Sequence, residues 1–144
     1  MKKNLALAAA ALCISGCAMT PRPERAVVTA KAIPDALQAY KRAVAGRIVE
    51  TSAQTYSEPL PEVMKSIVVL EITLDALGRP LDISLLRSNG YPDLAQRAIT
   101  SVTKAAPFTA PAPALLQGAA SLSFLETFLF RDDDCFQVRS LVED

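Results

Sequence analysis

The stretch Val68-Val69-Leu70-Glu71-Ile72-Thr73-Leu74-Asp75-Ala76-Leu77-Gly78-Arg79-Pro80-Leu81 decides the fold. Val68, Leu70, Ile72 and Leu74 alternate with Val69, Glu71, Thr73 and Asp75. That period of two sends one set of side chains to a core and the other to solvent, and it predicts a strand over residues 66–76. Leu77-Gly78-Arg79-Pro80 supplies a turn, since Gly78 can take a positive φ without a Cβ penalty. A second strand follows over 81–87, with Leu81, Ile83 and Leu85 on one face and Asp82 and Ser84 on the other. The two strands form a hairpin.

Outward from the hairpin, Ser88-Asn89-Gly90 reads as a turn, and Pro92 and Asp93 open a helix in which Leu94, Ala98, Ile99, Val102 and Ala105 make the buried stripe. Pro107 ends it, and 108–117 is a Pro/Ala-rich connection. A last strand over 120–130 carries Leu122, Phe124, Phe128 and Phe130 on one face; Glu126 interrupts that face and marks a bulge or an exposed edge. Upstream, Leu37, Tyr40, Val44 and Ile48 recur at helical spacing over 35–49, and 51–61 reads as a loop. The expected fold is α+β: a small three-stranded antiparallel sheet packed against two helices, in one domain over 35–130 followed by a polar tail, 131–144.

The N-terminus carries a separate message. Met1-Lys2-Lys3 is a short positive region, and Leu5 to Ile14 is an apolar run too short for the roughly 20 residues a spanning helix needs. Ile14-Ser15-Gly16-Cys17 follows, and resembles the lipobox of bacterial lipoproteins. The resemblance implies a signal peptide over 1–16, cut after Gly16, and acylation of Cys17 with chains such as palmitate. Residues 17–34 then read as the acylated cysteine and a flexible tether. Ala18, where inner-membrane retention typically uses aspartate, leads us to expect the outer membrane, with the domain facing the periplasm. The tether reaches at most roughly 60 Å, so the domain works close to its own membrane.

Composition narrows the chemistry. Fifteen basic residues balance fifteen acidic ones, and Lys2 and Lys3 leave with the signal, so no basic excess is available for nucleic acid. There is no histidine, which removes imidazole bases and the commonest metal ligand. Of three cysteines, Cys13 lies in the signal and Cys17 is acylated, leaving Cys135 without an intramolecular partner or an activating base. Asp132-Asp133-Asp134 lacks the interleaved ligands and glycine of a calcium loop and reads as a solvated turn. Neither catalytic residues nor a cofactor or metal site is expected.

The order helix, hairpin, helix, strand resembles the periplasmic C-terminal domain shared by TonB and TolA. Val68 to Leu81 looks like the family's alternating strand, glycine turn and second strand; Ser88-Asn89-Gly90, the helix over 94–106 and its Ala106-Pro107-Phe108 exit continue the likeness. The resemblance implies a non-catalytic envelope protein, linked to TonB- or Tol-type transport or envelope integrity, whose partners add a strand to the final strand. Expected at that strand are inward Leu122, Phe124, Phe128 and Phe130, with Ser121, Ser123, Glu126 and Thr127 nearer the partner, and binding that survives truncation after Asp134; the alternative is that the chain from Arg131 onward covers this edge, in which case truncation unfolds the domain and the edge is not the site. A structural scaffold lipoprotein of an outer-membrane or secretion assembly is the alternative, with an enzyme of hidden site behind it.

Overall fold

The computed structural model describes residues 32–142. The residues read as signal peptide, Cys17, and the stretch read as tether as far as residue 31 lie outside that range. The elements run α1 (Ala32–Glu50), β1 (Ser66–Asp75), β2 (Pro80–Arg87), α2 (Pro92–Ala105), α3 (Pro113–Leu116), β3 (Ser121–Phe130) and β4 (Phe136–Val138), then a single 3₁₀ turn (Arg139–Leu141). The sheet is antiparallel, in the order β2-β1-β3-β4, and the fold is α+β.

The alternation of β1 is obeyed in full. Val68, Leu70, Ile72 and Leu74 are completely buried, facing a helix layer that supplies Tyr40, Val44 and Ile48 from α1 and Leu94, Ala98, Val102 and Ala105 from α2. The hairpin turn closes with Asp75 N–H donating to Arg79 O at 2.9 Å, leaving three loop residues that end in Gly78 at φ +82°. A Cβ on Gly78 would meet Phe108 O at 2.2 Å, because the segment after α2 packs across the turn, with Phe108 N–H bonded to Gly78 O at 2.9 Å. Only glycine fits there on both counts. Asn89 ties the other end of the hairpin by accepting from Ile67 N–H and Ser66 Oγ through its side-chain oxygen.

Three features differ from the sequence reading. Helix α1 begins at Ala32, inside the stretch read as tether; Pro34 falls in its first turn, where a missing N–H costs nothing. The 108–117 connection contains the short helix α3, started by Pro113 and stopped by Gln117 in the left-handed region. The largest correction concerns 131–144. These residues are no tail: Arg131 and Cys135 close a second three-residue hairpin loop, Asp134 taking a φ of 63°, and the chain returns as β4, the sheet's fourth strand. Phe136 and Val138 are buried in the core, with the Phe136 ring 5.2 Å from that of Phe128. Truncation after Asp134 therefore removes core side chains, against the expectation that binding survives it, and the segment covers the β3 edge at Phe128–Phe130, as the alternative reading had it.

Two of the three aspartates are held in that hairpin. Asp133 holds the Arg131 guanidinium at 2.7 Å and accepts from Cys135 N–H, contacts that keep its carboxyl below the ordinary range. Asp134 pairs with Lys65 at 2.6 Å.

Candidate functional site

Beyond a paired strand, an antiparallel sheet offers recognition through the main-chain groups of its edges. The described sheet has two flanks. On the first, β2 pairs only with β1, and their register shifts twice, between Val69 and Leu70 and between Thr73 and Leu74. With Pro80 at its start, β2 is bent by an irregularity near each end, a common guard against edge pairing.

The other flank is regular. β3 pairs with β1 without a shift from Ser121↔Asp75 to Phe130↔Ser66, so no bulge occurs at Glu126. Because Phe130 O accepts from Lys65 N–H on the β1 side, even-numbered β3 residues direct their main-chain groups to β1 and odd-numbered ones to the opposite side. β4 takes up that opposite side only at Phe128–Phe130. Its own far side is bridged by the 51–65 loop: Phe136 N–H donates to Gln54 O at 3.0 Å and Tyr56 N–H to Phe136 O at 3.2 Å. No described strand pairs with β3 on this side over 121–127. The outward N–H and C=O groups of Ser121, Ser123 and Leu125 thus form a short, straight, open row.

Glu126 ties the chain that follows β4 to the helix layer. Its side chain lies on the helix face, 1% exposed, and reaches three donors: Ser140 Oγ at 2.6 Å, Ser140 N–H at 3.4 Å and Thr127 N–H at 3.0 Å. Strand β4 pairs with β3 only as far as Val138. The chain then turns at Arg139 into the helix layer, where the 3₁₀ turn packs on α1 and Ser140 is held by the carboxylate. Burial pushes the Glu126 carboxyl up from its ordinary value, against the opposing pull of its hydrogen bonds and the Lys41 charge.

Of the four residues expected to face a partner, the structure places two on the open row. Ser121 and Ser123 sit on the open row, with Ser123 Oγ sharing a 2.8 Å hydrogen bond with Thr73 Oγ1 on the sheet's open face. Thr127 shares that face but its N–H is already taken by Glu126. Glu126 itself is a correction: it is buried and inward, because three donors satisfy it there. Leu125 belongs to the row and was missed, although a leucine at an odd position of a strand whose even positions feed the core was the available signal. No protein-family model matches this chain, and no curated protein sequence does. Among the described residues no group of carboxylates and cysteines is arranged to hold a metal ion.

Proposed function

We propose that this chain is a non-catalytic envelope lipoprotein whose domain binds an extended segment of another envelope protein by adding it as a strand to β3. The observation that carries the reading is the open row at Ser121, Ser123 and Leu125, on the one flank of the sheet that is free of register shifts. Main-chain hydrogen bonds from such a row give affinity, and alternate side chains give specificity. The order α1, β1, β2, α2, β3, with α3 before the last of these, is the order on which the resemblance to the TonB and TolA domains rests. Here the chain's own β4 occupies part of the edge that the resemblance assigns to partners, so the partner's segment takes the rest. The lipid on Cys17 would hold the domain at the outer membrane.

Photocrosslinking in living cells tests this. A photoreactive residue at Ser121 or Ser123 should capture a discrete envelope protein, while the same residue at Asp82 on β2 should not. Capture from Asp82 alone would overturn the assignment.

A further inference from the structure

The open row has an apolar contact built into it, and this inference rests on the strand-addition reading. Leu125 is 48% exposed at the end of the row nearest β4, on a sheet face where its neighbours are Ser123, Thr127 and, across β1, Glu71. No described strand pairs beside it on the open side. A second exposed leucine, Leu141 at 40%, lies on the 3₁₀ turn that packs beside β3 where the chain leaves the sheet. The edge also holds a native occupant, which fixes the line a partner's strand would continue. Strand β4 turns Phe136 and Val138 into the helix layer and sets half-buried Gln137 opposite buried Leu129, beside Tyr56, whose hydroxyl donates to Leu129 O. A strand extending β4's line would meet Leu125 on the open face, directly opposite one of its own residues, at the separation where cross-strand side chains touch.

We propose that Leu125 is the specificity-determining residue of this edge, and that the partner is an extended peptide segment carrying an apolar side chain at the position opposite it. Hydroxyl-bearing Ser121 and Ser123 tolerate many neighbours, whereas pairing with Leu125 buries apolar surface only if the facing residue is apolar. The segment is therefore recognised by one anchored apolar residue in an otherwise main-chain interaction.

A phage-displayed library of random decapeptides, selected on the full chain, reads this out. Selected clones should share an apolar residue at one fixed position, bind Leu125→Ser about tenfold more weakly, and lose binding to Ser123→Pro, which removes an outward donor without touching the β1 ladder. Circular dichroism and melting of both variants confirm that they fold; Leu125→Ser, at an exposed position, keeps the test valid should the proline disturb β3. Clones that fail on Ser123→Pro yet bind Leu125→Ser as tightly as wild type, with no apolar position in common, would overturn the specificity while leaving strand addition standing. Clones indifferent to both variants, or no clones at all, would overturn strand addition itself.

Discussion

Glu126→Gln isolates the buried clasp that ties Ser140 to β3. The carboxylate accepts from Thr127 N–H, Ser140 N–H and Ser140 Oγ in a site of 1% exposure. Glutamine keeps an oxygen for the two N–H donors, and the Ser140 hydroxyl can turn to accept from its amide, so the variant should lie within about 1 kcal/mol of wild type at neutral pH. Glu126→Ala, by contrast, strands the two buried Ser140 donors and should cost about 2–4 kcal/mol. The pH dependence carries the sharper test. Burial raises the folded-state pKa of Glu126 above its unfolded value. Between the two values the folded chain binds the proton more than the unfolded chain does, so stability falls as pH rises from the ordinary glutamate range through the folded-state pKa. The glutamine side chain of the variant carries no such proton. Urea melts from pH 4 to pH 8 should show the wild type gaining on Glu126→Gln toward acid and losing that advantage as pH rises. A wild-type advantage that grows with pH, or a glutamine variant weaker by more than about 2 kcal/mol throughout, would refute the buried-carboxylate account.

Three further outcomes follow from the packing and the N-terminus. Truncation after Asp134 deletes buried Phe136 and Val138 and the Ser140 clasp, and should cost more than about 5 kcal/mol, enough to abolish the cooperative melt of a small domain. Gly78→Ala meets both a φ of +82° and the Phe108 carbonyl, and should lower stability by about 2 kcal/mol or more in denaturant melts, with Gly90→Ala, which has open space around it, costing less. Cys17→Ala should leave an uncleaved precursor or release the domain from the membrane fraction; a variant that fractionates and migrates like wild type would remove the lipid anchor from the account.

The hairpin and both long helices are legible in the sequence because each is driven by a long apolar period: four alternating residues in β1, and stripes ending at Ile48 and Ala105. The C-terminal segment is not, and the reason is length. Phe136 and Val138 make one alternation within three residues, too short to stand out behind Asp132-Asp133-Asp134, where Asp133 and Asp134 are held by Arg131 and Lys65 rather than by water alone. Glu126 misleads for a related reason. A carboxylate on a core face suggests exposure unless its donors are known, and Ser140 lies 14 residues away on an element that leaves no periodic trace. The outward direction of Ser121 and Ser123 is legible because the strand's even positions fix where its odd ones point.

Residue-resolved amide hydrogen exchange tests the central claim most directly. In the free chain the amides of Ser123 and Leu125 should exchange fast while those of Phe124 and Phe128, which face β1, stay protected. With a photocrosslinked partner or a selected peptide bound, Ser123 and Leu125 should become protected and the β1-facing amides should not change. Slow exchange at Ser123 and Leu125 in the free chain, or no added protection in the complex, would contradict strand addition at this edge.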